Sequence, residues 1–438
     1  MLDWNVGRAF SDLLKRKIDC SMRLRFLPRA AHPNSGRILL AKAVRAFGDG
    51  FVSILLPAYL LALGLDALRI GVLTTVTLLG SAGMTLSVGF LLRRIGLHRL
   101  FLAASILMAL TGIGFAWFTA FWPMLLIGFI GTLNPSSGDV SIFLPLDQAS
   151  LADAVPGNDR TALFARYSVV GGLSGAFGAL FAAAPDVLAR RLAVDPLVLM
   201  RGMFLVYALL GMVAGAIYKS IATDASAPSA PETALGPSRL IVTKLAALFS
   251  IDAFAGGFIV QSILALWLFK KFDLSLITTA NIMFWLNLLA AFSYIAAPPI
   301  ARRFGLVNTM VFTHLPSSLC LLAVPFVPTL WLAIALLLVR SLLSQMDVPT
   351  RTSYVMAVVT PAERGSAAGV TAVPRSLAAA VSPTIAGYLL SLSPFGWPLV
   401  ICATLKIAYD LSLLRMFRDI RPPEEQDGEA DSNPPQSR

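Results

Sequence analysis

Apolar stretches of about twenty residues recur along most of this 438-residue chain. That is the length at which a helix, rising about 1.5 Å per residue, crosses a hydrocarbon layer roughly 30 Å thick. Hydrophobic residues make up 57% and charged residues 13%, against about 25% charged in soluble domains, and the mean hydropathy is +0.75. The chain therefore reads as a polytopic, all-α membrane protein. Twelve spans are expected, at 39–61, 70–92, 100–118, 122–144, 168–188, 197–217, 245–268, 278–298, 309–327, 330–348, 365–390 and 398–417.

Basic residues near span ends resist translocation, so their distribution sets orientation. Lys15, Arg16, Lys17 and Arg37, then Arg93, Arg94 and Arg99, Arg160 and Arg166, Lys219 and Arg239, Arg302 and Arg303, Arg351 and Arg364, and Arg418 and Arg421 fall on one side. The other side offers Arg69, Arg190, Arg191, Lys270 and Lys271. Both termini are thus expected in the cytoplasm, which requires an even number of spans. The +11 net charge is mostly this bias, so nucleic acid is not an expected partner.

Residues 1–37 are polar and basic throughout, with no apolar signal-peptide core; they read as an amphipathic surface segment or a disordered basic leader. Residues 418–438 read as a disordered cytoplasmic tail. Cys20, Cys320 and Cys402 are odd in number and far apart, so neither a disulfide framework nor a metal site is expected.

The chain also repeats itself. Arg93-Arg94-Ile95-Gly96-Leu97 returns as Arg302-Arg303-Phe304-Gly305-Leu306, a shift of 209, and Gly50-Phe51 returns as Gly257-Phe258, a shift of 207. Pro145 matches Pro349, and Asp159-Arg160 matches Glu363-Arg364, at a shift of 204. Two pseudo-symmetric six-helix bundles follow, over 38–221 and 240–417. Residues 222–239 between them, rich in Ala, Pro and Ser, read as a flexible cytoplasmic linker.

The run Gly89-Phe90-Leu91-Leu92-Arg93-Arg94-Ile95-Gly96-Leu97-His98-Arg99 resembles the loop between spans two and three of the major facilitator superfamily of secondary transporters. Arg93 stands where that family usually has Asp. The resemblance covers roughly residues 38–417. It implies a cytoplasmic latch at Gly89, Arg94, Gly96 and Arg99, repeated at Arg302, Arg303 and Gly305; an ordinary basic turn is the alternative. It also implies two bundles rocking about a central site lined by spans one, four, seven and ten.

Ionisable residues within hydrocarbon cost about 2.5–3.5 kcal/mol on insertion scales and are functional candidates by default. Arg45, Asp49, Asp139, Asp252, Arg340, Arg375, Lys406 and Asp410 stand out. Arg45 and Asp49 lie four apart on one face of span one and can pair. Asp252 holds the position in span seven that corresponds to Arg45. Asp49 and Asp252 are the proton-carrier candidates, with Arg45 and Arg340 as switching partners or anion ligands; static ion pairs are the other reading. Asp139, Asp347 and Arg351, toward cytoplasmic span ends, belong with the latch, Asp139 being a charge-partner candidate as well, and Arg375 belongs with the cavity or a bundle interface. Lys406 and Asp410 read as an intrahelical pair, and His314 as a packing residue. Phe47, Phe51, Tyr59, Phe254, Phe258, Trp267, Trp285 and Tyr354 are candidates for lining a pocket or for packing.

Gly171, Gly172, Gly175 and Gly178 in span five resemble the glycine-rich fifth span of drug-exporting antiporters, without their Gly-Pro pair. The chain carries no HExxH, GxSxG or phosphate-cradling GxxxxGK[ST] motif, so no enzyme, ATP-driven pump or cofactor is expected. The expectation is a monomeric, proton-coupled transporter of a small organic solute in the plasma membrane, with the short loops of a bacterial inner-membrane protein. Efflux by antiport leads, uptake or exchange of an organic anion follows, and a non-transporting receptor or scaffold is the reading of another class.

Overall fold

The computed structural model describes residues 32, 34–136, 141–152, 157–221, 236–360 and 363–418. Most of the basic leader, most of the linker, the acidic tail and Asp139 lie outside the described residues. The first half holds α1 (Asn34–Ala62), α2 (Ala67–Ile95), α3 (Leu97–Trp117), α4 (Phe121–Ile130), α5 (Phe143–Ala152), α6 (Gly157–Phe181), α7 (Ala184–Leu192) and α8 (Pro196–Lys219). The second holds α9 (Arg239–Gly257), α10 (Gln261–Phe272), α11 (Leu276–Phe304), α12 (Leu306–Ala323), α13 (Leu330–Ser344), α14 (Asp347–Ala357), α15 (Arg364–Leu392) and α16 (Trp397–Phe417).

Among the described residues, nine helical segments are long and apolar enough to cross a membrane, pairing α6 with α7, α9 with α10 and α13 with α14. The 29-residue helices α1 and α15 and the interrupted α4–α5 pair occupy the three remaining places of a twelve-span order. Span four, expected as one stretch, is broken beyond Gly131, where the Asn134 side chain accepts from the Ser136 backbone and holds a turn. Spans seven and ten break as well, between Gly257 and Gln261 and between Ser344 and Asp347. Broken helices survive at membrane depth only where protein or a water-lined path covers the freed backbone.

Local chemistry sets the helix ends. The side chains of Asp66, Asp195 and Ser275 accept from backbone N–H groups of the first turns of α2, α8 and α11. At the α2–α3 and α11–α12 corners, Gly96 (φ 86°) and Gly305 (φ 85°) adopt the same left-handed backbone, which a side chain would strain. The repeat is therefore visible in backbone geometry as well as in sequence.

Within the first bundle α1 packs on α6 and α8, and α3 on α8; within the second, α9 packs on α15 and α16, and α12 on α13 and α16. The bundles meet along α2–α15 and α6–α11. Described contacts gather toward the end opposite the termini. A Cβ on Gly71 would sit 2.4 Å from the Pro383 carbonyl, and one on Gly387 would sit 2.4 Å from that of Ala67. Thr75 binds Thr384 there, hydroxyl to hydroxyl, at 2.8 Å. Nearer mid-chain depth, the Ser262 backbone donates to Pro135 at 3.1 Å.

The glycines of span five are accounted for by packing. A Cβ on Gly178 would meet the Phe47 carbonyl at 2.1 Å, and Gly50 of α1 approaches the Gly175 carbonyl at 2.2 Å on the same construction. They let α1 and α6 pack closely and carry no separate signal for export. Phe51, Tyr59, Phe258, Trp267 and Tyr354 are all fully buried among apolar neighbours, which makes them packing residues.

Candidate functional site

Two buried charge clusters stand at equivalent places in the two bundles. In the first, Arg45 of α1 donates through Nη2 to Asp147 of α5, and the ring of Phe143 lies 4.1 Å beneath its guanidinium. The hydroxyls of Tyr167 and Tyr218 also donate to Asp147, at 2.8 and 3.0 Å. Arg45 is 3% exposed and Asp147 not at all, so the carboxylate is buried but supplied with three donors. The expected Arg45–Asp49 pair is thus corrected: the near neighbour in sequence loses to a partner 102 residues away. Asp49, half-buried one turn further along α1, adds only a weaker electrostatic attraction to Arg45 and interacts with Tyr207 of α8, whose hydroxyl donates to the Thr132 carbonyl at 3.1 Å.

In the second bundle Asp252 of α9 receives Lys406 Nζ of α16 at 2.5 Å and Arg351 Nη1 of α14 at 3.0 Å. Arg351 is itself divided, with Asp347 one turn away at 3.3 Å. Lys406 Nζ also lies 3.2 Å from His314 Nε2 on α12, and His314 Nδ1 lies 2.9 Å from Asp410 Oδ1. An ammonium only donates, so Nε2 must accept; the proton is then on Nδ1 and bonds Asp410. His314 is a neutral bridge in this arrangement. Its Nε2 is also 4.0 Å from Asp252 Oδ1, while Asp410 Oδ2 and the Tyr409 hydroxyl are buried without hydrogen-bond partners among the described residues.

These contacts correct three further expectations: Asp347 and Arg351, expected in the latch, join the Asp252 network of the second bundle. Lys406 and Asp410 do not pair along α16; they reach α9 and α12, respectively. His314 belongs to the ion network, not to apolar packing alone. Asp252 is at the centre of the network. Arg340 does not reach it: among the described residues its side chain has no carboxylate partner, and its electrostatic neighbours are Cys320 and Cys402. Arg375 stands beside the network, its buried Nε without a bonded partner among the described residues.

Asp147 was not among the candidates, although the sequence held the signal. The shift of 204 that maps Pro145 onto Pro349 also maps Asp147 onto Arg351. Of the latch, Gly96 and Gly305 form the matching corners, Arg94 lies over the Phe90 ring at 4.4 Å and Arg303 over Phe304 at 5.5 Å. Arg99 is in the first turn of α3. Gly89 and Arg302 fall within α2 and α11. Among the described residues, no ion pair joins these loops to another element.

Glu363, beyond the spans, gathers several hydrogen bonds. Glu363, capping α15, accepts from Ser238 Oγ at 2.7 Å, Thr360 Oγ1 at 2.8 Å and the Gly236 backbone at 2.5 Å. The Ser238 bond and then the others hold its carboxyl down, at about 2. It is covered by the chain it binds and has few other neighbours.

Two helical repeats that enclose buried charges on broken spans define a multi-pass membrane transporter of a small solute. The comparisons agree, and the chain belongs to the Major Facilitator Superfamily, whose family description matches residues 38–339 and 245–437. An uncharacterized membrane protein of Saccharomyces cerevisiae, YJR124C, is 23% identical over 410 residues, covering 85% of this chain and 92% of the relative. Among solved structures, a bacterial homolog of the human lysosomal transporter Spinster, inward-facing and occupied, superposes with a TM-score of 0.69 at 14% identity, over 88% of this chain and 97% of its own. The nucleoside transporter NupG gives 0.66 at 17%, over 88% and 99%. The human organic anion transporter MFSD10 gives 0.60 at 16%, over 86% and 98%. At such identities the shared property is the fold.

Proposed function

We propose that this protein couples the movement of a small organic solute to protons, through the network of His314, Asp410, Lys406 and Asp252. The observation that carries the reading is the divided allegiance of the groups around His314. As a neutral bridge it must accept from Lys406. Once protonated it can only donate, so its contact with the Lys406 ammonium becomes repulsive and Asp252, 4.0 Å away, becomes the better partner. One proton therefore redistributes bonds among α9, α12 and α16. The Arg45–Asp147 cluster, with three donors on one acceptor, lacks such a choice and serves as a fixed strut.

Orientation follows the charge bias, with both termini in the cytoplasm of a plasma-membrane protein. The close interbundle contacts at Gly71–Gly387 then lie at the outer end, which makes this an inward-facing arrangement. Antiport, in which protonation of His314 and binding of solute alternate, gives efflux. The second reading, uptake of an organic anion together with protons, is favoured by Arg340 and Arg375 of the second bundle, which have no bonded carboxylate among the described residues.

The test is a thermal-shift screen of purified full-length protein against organic solutes, followed by flux of each hit into proteoliposomes with and without a pH gradient. His314→Gln keeps one donor and one acceptor but does not titrate. It should remain folded and exchange solute, and it should lose the response to the gradient. A wild-type flux indifferent to a gradient of either sign would overturn proton coupling, and the absence of any flux would favour a receptor or scaffold.

A further inference from the structure

The interior of the second bundle is electrically unbalanced. Arg340, Arg351, Arg375 and Lys406 carry fixed positive charge there, against the carboxylates of Asp252, Asp347 and Asp410, an excess of one positive charge with His314 neutral. Arg351 and Lys406 use the available carboxylates, and His314 takes Asp410. Arg340 and Arg375 are left, among the described residues, with no side-chain hydrogen bond or ion pair.

The two arginines differ in setting. Arg340 is flanked by Cys320 and by Cys402, which is fully buried in the apolar core. Arg375 is half-buried on α15, eleven residues from the Arg364 end and so about 16 Å along the helix axis. α15 packs against both α9, which carries Asp252, and α14, which carries Arg351. Among the described residues the buried Nε of Arg375 has no partner; the like charge of Arg351 acts on it most strongly, only partly offset by Asp252 and Asp347, which Arg351 and Lys406 already engage. Unbalanced cations at membrane depth are costly, and guanidinium groups with open N–H donors match a carboxylate or phosphonate fork.

We propose that Arg375, with Arg351 as its electrostatic neighbour, binds a single anionic group of the transported solute. This rests on the second of the two transport readings, uptake together with protons, and deepens it: the substrate class is a small organic anion held at Arg375. Binding there removes the repulsion between the two guanidiniums. A proton added at His314 raises the positive charge of the same bundle, so anion and proton bind better together than apart, which is the requirement for co-transport.

The experiment uses the full chain in low-salt detergent buffer, titrated with benzoate, phenylphosphonate and the neutral benzamide while thermal unfolding is followed. Benzoate and phenylphosphonate should raise Tm with saturation and benzamide should not. Arg375→Gln should weaken the anion response at least tenfold, whereas Lys244→Gln, which removes an exposed cation on α9, should leave it unchanged. Should the glutamine variant not fold, Arg375→Lys keeps the charge and loses the fork, and it should bind both anions more weakly than wild type. Equal responses to benzoate and benzamide, wild-type affinity in a folded Arg375 variant, or equal loss in the Lys244 variant would each overturn the site. A neutral solute driven by a pH gradient, unaffected by Arg375→Gln, would sink the anion assignment and leave coupled transport standing. Anion binding without flux of any solute would do the reverse.

Discussion

Asp147 and Arg351 occupy equivalent positions of the two bundles, 204 residues apart, with opposite charges. Each bonds the residue at the equivalent place of the first helix of its own half, Arg45 in one and Asp252 in the other, themselves 207 residues apart. The repeat has thus kept a buried bridge between corresponding helices while exchanging its ends. What differs is the surroundings. Tyr167 and Tyr218 complete the shell of Asp147, whereas Asp252 shares its shell with Lys406 and lies within reach of His314.

The first bridge is a structural element, and breaking it strands a charge. Arg45→Gln or Asp147→Asn alone should lower stability by about 3–5 kcal/mol, the usual cost of an unpaired buried ion. The double variant should recover most of this and transport normally. Thermal unfolding in detergent reads the first claim and flux reads the second. A double variant as unstable as either single one would mean that Arg45 and Asp147 are not coupled.

In the second bundle the same kind of change should act on coupling. Asp252→Asn removes the carboxylate shared by Lys406 and Arg351, so flux driven by a pH gradient should collapse while exchange between equal solute pools persists. Asp49→Asn, one turn from the fixed strut and outside the network, should leave gradient-driven flux near wild type. The opposite pattern would return the proton to the first bundle.

Much of the fold was legible in the sequence because membrane burial demands long apolar runs and tolerates few charges. The repeat was legible too: Gly96 and Gly305 recur because one corner needs the same left-handed backbone twice. The partners of the charged residues were not. Spacing of four suggested Arg45–Asp49 and Lys406–Asp410, yet side chains of this length reach neighbouring helices, and the native partners are Asp147, Asp252 and His314. Local periodicity cannot rank an intrahelical partner against one supplied by packing; the repeat offset could have done so for Asp147.

Glu363 provides a pH-dependent tie between the end of the linker and the second bundle. Its carboxyl is held at about 2, below the ordinary 4.5, by bonds from Ser238, Thr360 and Gly236. A depressed carboxylate stabilises the folded state fully above its unfolded value, and the contribution fades as pH falls from about 4.5 toward about 2. Hydrogen exchange at residues 236–243 should therefore quicken over that window after correction for intrinsic rates, and Glu363→Gln should show the faster exchange at neutral pH. Equal protection in both proteins at pH 7 would remove Glu363 as the anchor.

The orientation can be tested at three exposed basic residues. Arg69 and Lys270 sit in the sparsely charged loops at the end where Gly71 and Gly387 hold the bundles together, and Arg94 lies at the opposite end beside the Gly96 corner. Lys and Arg near span ends favour the cytoplasmic side, and the clusters at that opposite end outnumber those at the Gly71 end. Single cysteines at Arg69 and Lys270, with the native cysteines replaced, should therefore react with an impermeant maleimide added to intact cells. A cysteine at Arg94 should react only after permeabilisation. External labelling at Arg94 with protection at the other two would invert the molecule, and would make the closed end seen here the cytoplasmic one.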